Sequence, residues 1–141
     1  MATIYLIRHA EADYGWNGPD CDRPLSARGV RQAKWMAKYL KSQPIDELRC
    51  APHRRCRQTA EEIGKACSVE PAQDDSLHIA RSFRIAKPTG TSVWVSHSNN
   101  IPGAVAALGV PCHTCGHASA WVLEFDDSGQ VVSYEYIEPE V

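Results

Sequence analysis

No stretch of this sequence approaches the roughly 18 consecutive apolar residues of a membrane-spanning helix. Neither sign of charge is in excess: 15 basic residues face 17 acidic ones, for a formal net charge of −2. That balance argues against a nucleic-acid or membrane-surface partner. The N-terminus has no basic leader, and its apolar run lasts only about six residues before Arg8, so no secretory signal is expected. Internal repeats, low-complexity tracts and linkers are all missing, which leaves one expected domain over residues 1–141. Cysteine is not scarce, at six residues. Several of the six fall inside apolar patterns, so free thiols in a reducing cytoplasm are the expectation rather than a disulfide framework.

What the sequence does have is alternation. Residues 3–8 read as a buried strand with Ile4, Leu6 and Ile7 on its apolar face. A polar loop, "DYGWNGPDCDRP", leads to Ser26, an expected N-cap for a helix carrying Val30, Ala33, Ala37 and Leu40 on one stripe and ended by Pro44. A short strand over 46–51 precedes a helix from Pro52, placed in its first turn, to Cys67. Cys56, Ala60, Ile63 and Cys67 form its apolar stripe, and the two cysteines read as packing residues. Residues 69–90 are less legible, with a short strand at 69–73 and a short helix at 76–86 as the expectation. "SVWVSH" (92–97) is a second clear strand. "NNIPGAVAALG" follows as a helix with Pro102 in its first turn and Gly109 at its C-terminal end. Strands over 119–126 and 131–137 flank the turn "DDSG". The order implies an α/β fold, a three-layer α/β/α sandwich. Its central sheet is mostly parallel, with the closing hairpin as an antiparallel edge.

In such sheets ligands bind beyond the carboxyl ends of the strands. Three strands end there in reactive side chains: Arg8 and His9, the run "PHRRCR", and His97. Burying such groups is costly unless they are paired or used. Guanidinium forks match phosphate oxygens two at a time, and the second cluster opens a helix whose amides favour an anion. A compact phosphate dianion is the ligand these groups suit.

"LIRHAEA", "RPLSARG", "APHRRCRQTAEEI" and "VWVSHSN" resemble, in that order, the four signature segments of the histidine phosphatase superfamily, with its phosphoglycerate-mutase-like fold. The resemblance runs from residue 3 to about 126. It implies that His9 is the nucleophile that becomes phosphorylated, that Arg8 and Arg55 hold the phosphoryl oxygens, and that His97 is the second histidine of the pocket. Ser98 and Asn99 are further candidates for phosphate contact. Pro24 and Leu25 are expected to pack, and Arg54 and Arg57 to be solvated. Imidazole is largely neutral at pH 7, so His9 can attack phosphorus in line and split one displacement into two. Arg8, Arg55 and a protonated or hydrogen-donating His97 would steady the transferring group.

The resemblance implies a phosphatase without a cofactor or metal, acting on a phosphohistidine protein or a small phosphoester. Two small departures, Ala10 and Ala51, remove no reactive group. A larger one is length: only 37 residues separate Thr59 from His97, too few for a helical cap that would bring an acid to the leaving group. Asp74, Asp75 and His78 are weak stand-ins. The short form is similar to capless phosphohistidine phosphatases. The alternative function is a phosphate- or phosphoprotein-binding module of the same fold with little turnover. "CHTCGH" (112–117) could hold zinc through Cys112 and Cys115, but no second ligand pair of standard spacing exists, so ordinary thiols are the preferred reading.

Overall fold

A computed structural model describes residues 1–141. Its elements in chain order are β1 (Ala2–Arg8), α1 (Ala27–Leu40), β2 (Glu47–Cys50), α2 (Arg54–Cys67), β3 (Pro71–Gln73), β4 (Thr91–Ser96), α3 (Ile101–Ala106), β5 (Ala120–Phe125) and β6 (Val131–Ile137), with single 3-10 turns at Asp20–Asp22 and Asp75–Leu77. They form one six-stranded sheet ordered β3-β2-β4-β1-β5-β6. The four strands from β3 to β1 run parallel, and β5 and β6 are antiparallel. The expected sheet is therefore the observed one, including the antiparallel edge.

Strand periodicity sorts the side chains. Tyr5 and Ile7 share one face with Val93 and Val95, while Ile4 and Leu6 share the other with Ser92 and Trp94. Helices α1 and α2 pack side by side on the first face, where Gly64 approaches Leu48. The second face is covered by α3 and by irregular chain: Phe83 meets Trp94 edge-on at 6.0 Å, and His113 lies 5.1 Å from Trp121. Ile4, Leu6, Ile7, Leu48, Val93, Leu123 and Phe125 are all essentially removed from solvent. Burial of each contributes about 1.5–3 kcal/mol.

Ser26 caps α1 as expected, its Oγ accepting from the Gly29 amide at 3.0 Å. Three elements depart from expectation. Pro52 lies outside α2, whose N-cap is His53. No helix forms over 76–86, because the carbonyls a helix would use are already engaged. Asn100 Nδ2 donates to the carbonyls of Leu77, His78 and Arg81, Asn99 Nδ2 donates to that of Ile79, and Ser96 Oγ donates to that of Leu77. Helix α3 stops at Ala106, where Leu108 and Gly109 bond three residues back instead of four, and Gly109 takes φ +79°. No helix is long and apolar enough to cross a membrane.

Candidate active site

The carboxyl ends of β1 and β4 adjoin, so Arg8 pairs with Ser96 and the next residues, His9 and His97, emerge together. Their rings stand 5.2 Å apart between centroids, nearly edge to face. The His9 backbone is held on both sides: its amide donates to the Ser96 carbonyl at 3.0 Å, and its carbonyl accepts from Ala118 at 3.2 Å. Beyond it, the Ala10 amide donates to Thr59 Oγ1 at 3.0 Å, and that hydroxyl donates to the Arg55 carbonyl at 2.8 Å. The "RQTA" turn of α2 thus braces the loop that follows His9.

The "RPLSARG" segment braces the same loop from α1. Ser26 Oγ donates to Glu11 Oε1 at 2.8 Å, and Gln32 Oε1 accepts from the Glu11 amide at 2.9 Å. Gly29 is required by this approach, since a Cβ there would collide with the Glu11 carbonyl. Leu25 is buried, and its amide donates to Gln58 Oε1 at 2.8 Å.

A cavity of about 370 Å³ opens over these residues, lined by Arg8, His9, Arg55, His97, Ser98 and Asn99 among others. Every site residue expected from the sequence therefore reaches one pocket. Arg54 and Arg57 do not line it: they donate to the carbonyls of Asp22 and Pro52. Arg55 is buried, and its fork is already engaged, Nη1 donating to the Asp20 carbonyl at 3.0 Å and Nη2 to Asp20 Oδ2 at 3.2 Å. Arg8 Nη1 donates to the Cys115 carbonyl at 2.8 Å, while its buried Nε has no partner.

Electrostatics define the two histidines. Nδ1 of His9 lies 2.8 Å from the Ala10 carbonyl, so that nitrogen carries the proton and Nε2 keeps its lone pair. Burial pushes the His9 pKa down to about 3, with the Arg55 and Arg8 charges adding to the effect and the Ala10 hydrogen bond opposing it. His97 is driven down to about 2 by burial and then by His9 and His53. Both rings are neutral at pH 7. Of the two forms expected of His97, burial favours the hydrogen-donating neutral imidazole over the protonated one. Its Nε2 faces His53 Nδ1 at 3.2 Å, and its buried Nδ1 has no partner.

Of the three weak acid candidates, none lines the cavity. Asp74 accepts from Arg49 at 3.1 Å and from Ser76; burial works against its charge, but these bonds win and lower its pKa. Asp75 accepts from Gln73 at 3.5 Å. The His78 ring lies 4.5 Å from that of His53, tilted against it. The carboxylate that does line the cavity is Asp20, in the loop before α1. Tyr14, Arg23 and His117 line it too, and none of the four was read as a site residue. Their loops carry no periodicity; the surviving signal was the polar run "DYGWNGPDCDRP" beside a strand end. The thiols of "CHTCGH" are free, and the segment also supplies His117, 6.0 Å from His9, and the carbonyl that holds Arg8. Cys112 Sγ donates to the Pro102 carbonyl at 3.3 Å, and burial pushes the Cys115 thiol up to about 11.

Comparison with known proteins agrees with this geometry. Residues 4–78 match the model of the histidine phosphatase superfamily (branch 1). A Proteus mirabilis protein named "Probable phosphoglycerate mutase GpmB" is 38% identical over 82 residues, covering 55% of this chain and 37% of that protein. An 8-oxo-(d)GTP phosphatase of Mycolicibacterium smegmatis is 29% identical over 156 aligned positions, covering 97% of this chain and 48% of that protein. The chain thus spans less than half the length of both relatives. The fold matches the protein histidine phosphatase SixA, solved with tungstate, at a TM-score of 0.75 and 20% identity over 97% of each chain. The family match includes Arg8, His9 and Arg55, and the fold brings His97 to the same pocket. The chain belongs to the histidine phosphatase superfamily, branch 1.

Proposed function

We propose that this protein is a metal-independent phosphatase that works through a phosphohistidine on His9. The observation that carries this reading is the His9 ring itself, with Nδ1 tied to the Ala10 carbonyl and a neutral Nε2 beside two arginines. In the first step the Nε2 lone pair forms a bond to phosphorus as the bond to the leaving group breaks in line. Arg8, Arg55 and the neutral His97 spread the charge on the equatorial oxygens. The unpartnered Arg8 Nε and His97 Nδ1 support this role, since buried donors of this kind need an acceptor. Water then attacks phosphorus, the N–P bond breaks, and inorganic phosphate leaves with His9 restored. Ser98 and Asn99 line the same cavity and add polar contacts.

The substrate class that fits is a phosphohistidine protein or a small phosphoester. Phosphoramidate nitrogen is readily protonated and needs little help from an acid. No nucleic acid or membrane enters this reading. Six free thiols support a reducing, cytoplasmic setting, and the single continuous sheet supports one domain.

A second reading is favoured by one observation: the cavity's carboxylate, Asp20, is bonded to Arg55 rather than free. A phosphate-binding module with little turnover would result. Hydrolysis of p-nitrophenyl phosphate, whose leaving group needs no acid, separates the two. Steady turnover with an acid-labile, alkali-stable phosphoenzyme is expected. Saturable phosphate binding without turnover would select the binding module.

A further inference from the structure

Behind the pocket, His97 meets two side chains, His53 and Cys56, that the phosphatase chemistry does not use. His97 Nε2 stands 3.2 Å from His53 Nδ1 and 3.6 Å from Cys56 Sγ. All three side chains are buried, and the three donor atoms lie within 4.8 Å of one another. Zinc binds imidazole nitrogen at about 2.0–2.1 Å and thiolate sulfur at about 2.3 Å, so the edges of its tetrahedron are about 3.3 Å between two nitrogens and about 3.6 Å between nitrogen and sulfur. Two edges of the cluster already have these lengths. The third closes with a shift of about 1 Å in one side chain. The His53 ring makes no capping bond to α2, and its hydrogen-bond partner is His97 Nε2, itself a member of the cluster.

The geometry points to a binding site for a thiophilic cation, zinc above all, formed by His53, Cys56 and His97 directly behind the catalytic pocket, whose occupation inhibits the enzyme. Cys56 gives up its thiol proton on coordination, and both imidazoles bind as neutral ligands. A fourth position remains for water or for His78, whose ring packs 4.5 Å from His53. The inhibitory direction follows from placement. His53 and Cys56 flank Arg55 at the start of α2, and His97 follows β4. Drawing the three donors together moves the arginine that clamps phosphate, and a misplacement near 1 Å costs about 10²-fold in rate. The inhibition, though not the binding, rests on the phosphatase reading.

The test uses the full chain stripped of metal and titrated with cobalt(II), then zinc. One equivalent of cobalt is expected to give a thiolate-to-metal charge-transfer band together with the intense visible bands of a tetrahedral ion, and zinc should displace both. Cys56→Ala and His53→Ala should each lose the band and bind zinc at least ~100-fold more weakly, beyond the ~10–100-fold that loss of a supporting contact costs. Cys112→Ser and Cys21→Ser should keep the band. A band that survives Cys56→Ala, or disappears in Cys112→Ser, overturns the site. These spectra require no turnover, so they stand apart from the fate of the phosphatase reading. In the active protein, one equivalent of zinc should lower p-nitrophenyl phosphate hydrolysis about 10²-fold, reversibly with chelator. Full activity in zinc-saturated protein overturns the inhibition.

Discussion

His9 and His97 occupy equivalent places at the ends of neighbouring parallel strands, yet their surroundings differ in kind. His9 hydrogen-bonds through Nδ1 to its own neighbour's carbonyl and faces arginines. His97 turns Nε2 to a second imidazole and a thiol, and leaves Nδ1 unpartnered. The first arrangement fixes a tautomer with a free lone pair, as a nucleophile needs. The second holds a neutral donor in a soft, polarisable nest, which suits binding an oxyanion rather than attacking phosphorus. Two histidines 5.2 Å apart are thus suited to different roles by what touches their far nitrogens.

The sharpest way to break this comparison is to exchange the roles. His9→Ala should abolish phosphoenzyme formation and lower turnover by ~10³-fold or more, as loss of a nucleophile does. His97→Ala should retain a phosphoenzyme, formed and hydrolysed more slowly. Labelling from a phosphoryl donor followed by acid and alkali treatment reads both. If His97→Ala is the variant without label, the two assignments are reversed.

The arginine wall comes next in size. Arg8→Lys and Arg55→Lys keep the charge and lose the planar fork, and each should cost about 10²-fold in kcat/KM. Arg54→Ala and Arg57→Ala, whose side chains serve the carbonyls of Asp22 and Pro52, should stay within about threefold by comparison. Sensitivity at Arg54 or Arg57 instead of Arg55 would place the clamp one turn position away.

These expectations could be set from sequence because each residue sits where a periodic element ends. Arg8, His9 and His97 close apolar strands, and Arg55 opens a helix with a clear apolar stripe. The residues that escaped notice come from chain without a period. Asp20, Tyr14 and His117 reach the pocket through loops whose course depends on distant partners, such as Arg55 for Asp20. The absent helix over 76–86 has the same cause: Asn100, more than a dozen residues away, takes its carbonyls. Cys56 shows a subtler limit. Its spacing correctly placed it in the core, where it is fully buried, but spacing along one helix cannot report that its sulfur meets His97, just beyond β4.

The shared feature of the two histidines is neutrality, and pH tests it. In the unfolded chain both rings titrate near 6.5, whereas the native rings stay neutral down to about 3 and about 2. Between these limits the unfolded state binds more protons, so stability must fall as pH drops below about 6.5. The slope is up to about 1.4 kcal/mol per pH unit for each ring. Urea midpoints from pH 7 to pH 5 should fall accordingly, and His97→Gln should fall less steeply. The kcat/KM profile should show no acid limb at 6.5 from His9. A midpoint unchanged across that range would show that both rings take up protons as they do in the unfolded chain.

The smallest expected effect concerns the carboxylate that links the walls. Asp20 holds both ends of the Arg55 fork, through its carbonyl and Oδ2, so an entering phosphate competes with it for the same donors. Arg55 is buried but the Asp20 side chain is 63% exposed, so solvent screens the pair and its contribution is taken as no more than about 1 kcal/mol. Asp20→Asn removes the charged competitor but keeps the backbone carbonyl in place. Inorganic phosphate should then inhibit up to about fivefold more tightly, the factor that such an energy allows. The p-nitrophenyl phosphate rate should stay within about threefold, because that leaving group requires no acid. Alkyl phosphates decide the remaining point. If Asp20→Asn slows only those, Asp20 assists departure of the leaving group once phosphate has displaced it from Arg55. If aryl and alkyl rates move together, Asp20 is a placeholder on the arginine, and poor leaving groups depart from this site unaided and slowly.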